Sequence, residues 1–178
     1  MRNFTCIAAA CQGWGIGHDG DIPWKRTNRG RKDMKFFQLR TRGHVVIMGR
    51  KTADSIDRDY FPLADRVNIV VTSHVDGIVS LGVLTDRPVY YVGSLEIALK
   101  IADQYGSMDT YVIGGSMIYN EAMAHPRCDR VIVTRIPFGY ICDRFIDPTL
   151  FESWPMHEID YMGLTISVYE HKSIYSIT

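Results

Sequence analysis

The order of apolar runs and helical segments predicts an α/β protein: a mostly parallel central sheet with helices on both faces and an antiparallel C-terminal edge. Three observations carry this. Short, largely apolar runs recur at residues 4–11, 44–48, 66–71, 88–92 and 111–113, each of strand length. Helix-like segments fall between several of them. Past residue 130 the rhythm breaks, because RVIVTRI at 130–136 and LTISVY at 164–169 both read as strands with no strong helical segment between them.

The elements follow in order. Residues 4–11 are apolar almost throughout, as suits a central strand buried on both faces. Residues 12–24 carry Gly13, Gly15, Gly17, Gly20 and Pro23, the composition of an irregular, mobile loop. A helix is expected between 28 and 41. In the segment 94–105, Leu95, Leu99, Ile101 and Ala102 mark an amphipathic helix with Ser94 as its N-cap and Glu96 in its first turn. A shorter helix is expected after Gly115. No repeat and no linker interrupts the chain.

At 178 residues the chain can bury a full core as one domain, and 46% hydrophobic with 22% charged residues argues against disorder. Twenty Lys plus Arg balance twenty Asp plus Glu, so no overall field attracts a polyanion, and no nucleic-acid partner is expected. The N-terminal apolar run is too short to cross a membrane and lacks a signal-peptide cleavage pattern. Cys6, Cys11, Cys128 and Cys142 form no C-x-x-C pair, so neither a metal site nor a disulfide framework is expected, and reduced thiols fit a cytoplasmic protein. The histidines are scattered, and hydrolase, zinc-protease and P-loop signatures are absent.

Residues 15–20 spell G-x-G-x-x-G after a strand. The dinucleotide-fingerprint reading is rejected, since Pro23, Trp24 and a cluster of cations interrupt any helix that would start there. Gly114-Gly115 is the better phosphate candidate. It follows a strand and precedes a helix start, so its amides can face an anion, although a tight turn that needs glycine for steric reasons explains it equally. MGRKT at 48–52 is a second such junction, with Arg50 and Lys51 opposing the helix dipole unless a bound phosphate supplies negative charge; solvated surface cations are the alternative. Asp33 shares a helix face with Phe37, beside Met34, which places a carboxylate among apolar groups. A ligand with two N–H donors in one plane would restore its lost hydrogen bonds, whereas the plain alternative is an exposed acid near a helix N-terminus.

Taken in order, IAA at 7–9, IG at 16–17, DIPW at 21–24, DMKFF at 33–37, MGRKT at 48–52, RVN at 66–68, VIGG at 112–115 with Tyr119, and VTRI at 133–136 resemble dihydrofolate reductases along nearly the whole chain. The resemblance implies the family's three-layer fold, with an eight-stranded, mainly parallel sheet, as a single domain over 1–178. It implies hydride transfer from NADPH to C6 of 7,8-dihydrofolate with protonation at N5, giving the tetrahydrofolate of one-carbon and thymidylate metabolism. It also implies a dry site closed by the 12–24 loop, with dihydrofolate as the small-molecule partner; a monomer is the favoured assembly, which the sequence does not fix.

Roles follow from the same resemblance. Asp33 would bind the pterin 2-amino group and N3, Thr134 would support Asp33, Trp24 would hold the proton-donating water, and Tyr119 would complete the catalytic set. Ile7, Ala8, Ile22, Met34, Phe37, Ser55, Ile56, Leu63 and Ile113 would line the substrate pocket. Arg66 would take the substrate's α-carboxylate in its guanidinium fork. Ala9, Ile16, Gly17, Ile113 and Tyr119 would hold the nicotinamide end. Gly49, Arg50, Lys51, Thr52, Gly114, Gly115, Ser116, Met117 and Ile118 would hold the ribose and phosphates, with the Gly114-Gly115 peptide cis. Thr72 would also touch the cofactor, and Arg50, Ser73 and His74 are candidates for the 2′-phosphate. Several positions depart from the family pattern: Ala53 stands where an aromatic residue is common, Asp65 where glycine is frequent, Gly93 and Met117 where basic residues are common, and the segment Lys25 to Lys32 is a few residues longer than usual.

Two other readings remain: a riboflavin-pathway reductase of this fold, which should lack the buried acid, and a noncatalytic nucleotide-binding protein.

Overall fold

The buried runs form the middle of one sheet, and the polar ones form its rims. The computed structural model describes residues 1–75, 78–81 and 87–171, with 78–81 given as backbone only. The first half holds β1 (Phe4–Ala10), β2 (Gly15–Gly17), α1 (Asn28–Thr41), β3 (Val45–Gly49), α2 (Arg50–Ser55), β4 (Val67–Val71), β5 (Ile78–Leu81) and β6 (Val89–Val92). The second half holds α3 (Leu95–Gln104), β7 (Thr110–Val112), α4 (Ser116–Met123), β8 (Cys128–Arg135), β9 (Arg144–Phe145), β10 (Met156–Tyr161) and β11 (Leu164–Glu170).

Nine strands join in the order β10-β11-β8-β1-β7-β3-β4-β6-β5. The six from β8 to β6 are parallel, and β11 and β10 add the expected antiparallel end. A ninth strand goes beyond the expected eight, as β5 adds an antiparallel rim on the opposite side. Nothing in 78–81 alternates clearly enough to mark a strand, and its pairing with β6 supplies the backbone partners.

Two hydrophobic clusters fill the two sides of the sheet. One gathers Leu95, Leu99, Ile118 and Met123 from α3 and α4 against Cys6, Ala8, Ile47 and Val133. The other gathers Phe36 from α1 and Ala53 from α2 against Ile7, Val46, Met48 and Ile132. Adjacent residues of one strand alternate between them, as pleating requires. The helices therefore form layers on both faces, and the connections after β3 and after β7 leave on opposite sides.

Local signals explain the helix boundaries. The Thr27 hydroxyl accepts from Gly30 N at 3.0 Å at the start of α1, and the Ser94 hydroxyl accepts from Ile97 N at 3.3 Å at the start of α3. Tyr161 pairs with Leu164 across Met162 and Gly163, both at positive φ, which is a two-residue hairpin turn. That turn makes an edge strand of MHEIDY, whose side chains are mostly exposed and show no apolar alternation.

The 12–24 loop is more ordered than its glycines suggest. A 3-10 turn spans Gln12–Trp14, and β2 pairs with β9, so that Gly15 lies opposite Phe145. The partner comes from the far end of the chain, where no local pattern announces it.

Candidate active site

In an open α/β sheet, a ligand crevice forms at the carboxyl ends of neighbouring strands whose connections leave on opposite faces. β3 and β7 are such neighbours. Their ends are tied together, because Gly49 N donates to Gly114 O at 2.7 Å. Gly114-Gly115 is a cis peptide, as the family resemblance implied, and Gly114 has φ +109. A Cβ at Gly114 would lie 2.7 Å from Tyr119 Cε2, so the ring packs directly on that backbone. One at Gly115 would lie 3.2 Å from Thr52 Oγ1, which brings α2 and α4 to the same spot.

Capping separates these two helices from the others. α1 and α3 have side-chain N-caps, whereas α2 and α4 begin at Gly49 and Gly115 with no side-chain cap and no acidic residue in the first turn. Their first-turn amides have no side-chain acceptor and no competing carboxylate, which is the donor set a phosphate-bearing group requires. Arg50 is paired with Asp54 at 2.7 Å, so part of its charge is compensated within α2.

On the other side of the crevice, Asp33 is 9% exposed. Burial pushes its carboxyl up to about 6, against the opposing effect of a hydrogen bond from the Thr134 hydroxyl. Tyr119 spans both halves. Its hydroxyl donates to Ile7 O at 2.6 Å, and burial holds the phenol well above its ordinary value, with Cys6 and the Asp33 charge adding to the effect. The acid and the glycine pair thus border one region.

Trp24 is fully buried with Cys11 and Ile136, and Ala9 and Ile22 pack on the same group. Its indole Nε1–H is buried and has no hydrogen-bond partner among the described residues, which leaves it free for an ordered water. Arg66 lies with its guanidinium 5.9 Å from the Phe37 ring centroid, and its Nε donates to Ala64 O, while Nη1 is buried without a partner among the described residues. Both buried donors lack an acceptor among the described residues, and each suits a ligand or water that supplies one.

The other expected substrate contacts are placed as follows. Ile7 is in the core, and Phe37, Ile56, Leu63 and Ile113 border the same cluster with part of each surface free. Ala8 belongs to the opposite cluster, Met34 is 38% exposed, and Ser55 is exposed. Of the expected cofactor contacts, Ile16 is half-buried and Gly17 buried, Met117 and Lys51 are exposed, Ser116 is half-buried, and Ile118 is buried in the core, which leaves little of its side chain to face a ligand. Thr72 is buried after β4, with Ser73 and His74 exposed beside it. Two cavities, of about 310 and 180 Å³, lie beside β10 and β11 and touch none of these residues, so the site is defined by its side chains rather than by those hollows.

Sequence reading gave no role to Asn68. It is completely buried, its amide donates to Leu63 O and Arg66 O at 3.0 Å, and its carbonyl accepts from Leu63 N at 2.9 Å. It braces the segment that presents Leu63 and Arg66. An Asn inside an otherwise apolar strand was the available signal. Asp143 was also missed: Asp143 N donates to Gly17 O at 3.0 Å, so the segment before β9 holds the 12–24 loop.

Comparison with known proteins gives the family. The family model for dihydrofolate reductase matches residues 3–164. The dihydrofolate reductase of Heliothis virescens is 40% identical over 149 residues, covering 78% of this chain and 76% of that protein. That of Rattus norvegicus is 34% identical over 188 residues, covering 98% and 94%. A bifunctional dihydrofolate reductase-thymidylate synthase of Glycine max is 35% identical over 168 residues, which is 86% of this chain but only 30% of that longer protein. With the match running through the buried acid, the glycine pair and the strands that carry them, the chain belongs to the dihydrofolate reductase family.

Proposed function

We propose that the protein reduces 7,8-dihydrofolate to 5,6,7,8-tetrahydrofolate with NADPH as the hydride donor. The carrying observation is Asp33, a desolvated carboxylate with Thr134 as its hydrogen-bond donor, whose charge acts on Tyr119, the ring that packs on the glycine pair. A carboxylate offers about four acceptor positions, so a planar ligand edge with two N–H groups completes it. The pterin 2-amino group and N3 are such an edge. The buried, unpaired Nη1 of Arg66 suits the carboxylate of the substrate's glutamate.

The uncapped starts of α2 and α4 fit a dinucleotide, whose phosphates would lie on the amides after Gly49 and Gly115. When bound, NADPH supplies the hydride. Preference for NADPH over NADH is assigned to Arg50, Ser73 and His74, the polar groups at the ends of β3 and β4.

The chain's own residues then do three things. Asp33 grips and orients the pterin and polarises it toward protonation at N5, and its value near 6 lets it change charge close to the working range. Trp24 offers its indole N–H to the water that delivers the proton. Ile7, Phe37 and Ile113 present apolar surface that excludes bulk water. The riboflavin-pathway alternative gives the buried acid no partner.

Purified protein mixed with NADPH and dihydrofolate should consume the cofactor, seen as falling absorbance, and Asp33→Asn should stop it while NADPH binding persists. No consumption by the wild type would remove the assignment.

A further inference from the structure

The four cysteines lie in two pairs that their spacing in the sequence does not suggest. Cys6 on β1 and Cys128 on β8 have sulfurs 3.8 Å apart, both sealed in the core. Cys11 and Cys142 have theirs 3.7 Å apart at the carboxyl edge of the sheet, where Cys11 is buried but Cys142 is half-buried. All four are free thiols.

The second pair joins two segments beside the active site. Cys11 precedes the 12–24 loop, and Cys142 lies on the connection between β8 and β9, an exposed stretch in which Ile141 is 80% accessible. Both side chains lean on one backbone atom: a Cβ on Gly15 would lie 2.6 Å from Cys142 Sγ and 3.1 Å from Cys11 Sγ. The surrounding backbone is tied the same way, with Cys11 N donating to Gly15 O at 2.9 Å and Asp143 N to Gly17 O at 3.0 Å. Trp24, with its unpaired indole, packs in the group that holds both cysteines.

We propose that Cys11 and Cys142 form a modification site, a dithiol that closes to a disulfide with small-molecule disulfides and fastens the start of the 12–24 loop to the β8–β9 connection. The accessible Cys142 thiolate attacks RS–SR, giving a mixed disulfide and one RSH once the leaving thiolate takes a proton. Cys11, as its thiolate, then attacks the Cys142 sulfur and releases the second RSH. The protein loses two hydrogens and two electrons, and the small disulfide gains them. The sulfurs must approach by roughly 1.7 Å to reach a bond of about 2.05 Å, a shift within reach of an exposed connection. Burial, with the adjoining Cys11 thiol, pushes Cys142 up to about 11, so thiolate is scarce near neutrality and closure is slow there.

The linkage stands apart from the proposed reductase activity; only its effect on turnover rests on that reading. The full chain is equilibrated at mildly alkaline pH in glutathione buffers stepped from reduced to oxidised, its remaining thiols are blocked, and its peptides are weighed. A peptide linking Cys11 to Cys142, lighter by two hydrogens and absent in Cys142→Ser and Cys142→Ala, is the expected result, together with at least threefold slower hydrogen exchange at the Asp143 amide. Turnover of the linked wild type should fall severalfold and return with reductant, while both variants ignore the oxidant. A mixed disulfide at Cys142 that never resolves, or linkage of Cys6 to Cys128 alone, overturns the site. Linkage with unchanged exchange and turnover overturns its hold on the loop.

Discussion

The Thr134 hydroxyl on β8 donates to the Asp33 carboxylate on α1, joining an interior strand of the sheet to the one acid that the helix buries. That bond favours the charged form, and desolvation opposes it with the larger effect. The folded protein therefore holds a proton on Asp33 more tightly than the unfolded chain does.

This fixes a stability dependence on pH. The carboxyl rises from 3.8 to about 6 on folding, so its contribution to stability is full in acid below the ordinary value and is lost as pH rises through about 6. Asp33→Asn keeps the shape and a Thr134 acceptor while removing the charge. At pH 7 it should be more stable than the wild type by roughly 3 kcal/mol, at about 1.4 kcal/mol per pKa unit, with turnover at least a hundredfold lower. Thermal midpoints measured against pH should coincide in acid below about 3.8, separate as pH rises to about 6 and run parallel above neutrality, and a gap that stays constant through that window would contradict the buried charge.

Tyr119→Phe removes a 2.6 Å buried hydrogen bond and leaves the Ile7 carbonyl without its partner. The expected loss is about 1–3 kcal/mol in chemical unfolding. The ring still packs on Gly114, so the cis junction and NADPH affinity should change less than stability does. A variant as stable as the wild type would mean that water replaces the hydroxyl.

Arg66→Leu should raise the Michaelis constant for folates that carry glutamate and spare a bare pterin. Asn68→Ala is expected to do the same more weakly, since Asn68 braces Arg66 through its backbone rather than touching the ligand. Steady-state kinetics on the two substrates would separate this pattern from a general loss of folded protein.

Gly30→Ala inverts the usual helix rule. Alanine ordinarily favours a helix interior by about 1 kcal/mol. Here a Cβ would lie 2.1 Å from Trp24 O, so the start of α1 must move, and Asp33 with it, one turn later. A loss of roughly 1–3 kcal/mol is expected, as for other overpacked sites, with a lower turnover number. Gly43→Ala, at a positive φ with open space around it, tests backbone strain alone for comparison.

Some of this was legible residue by residue. Helix α1 covers the span expected of it, and Ser94 caps α3 as its position suggests, because capping and amphipathic spacing are local properties. Asp65 stands where relatives often carry glycine, and its φ of +54 shows why: the backbone there is left-handed, and Asp is among the few side chains that tolerate it. Strands β5, β9 and β10 were not legible, since each is defined by a partner's backbone rather than by its own side-chain pattern.

The sequence by itself determined the α/β order, the central strands, the two glycine junctions and the identity of the acid, because hydrophobic period, helix starts and glycine placement act over a few residues. Only the tertiary structure decided that two uncapped helices meet at one point, that Asn68 supports Arg66, and that Cys11 touches Cys142 across 131 positions. Those relationships depend on desolvation and on contact between distant segments, and both arise only once the layers close.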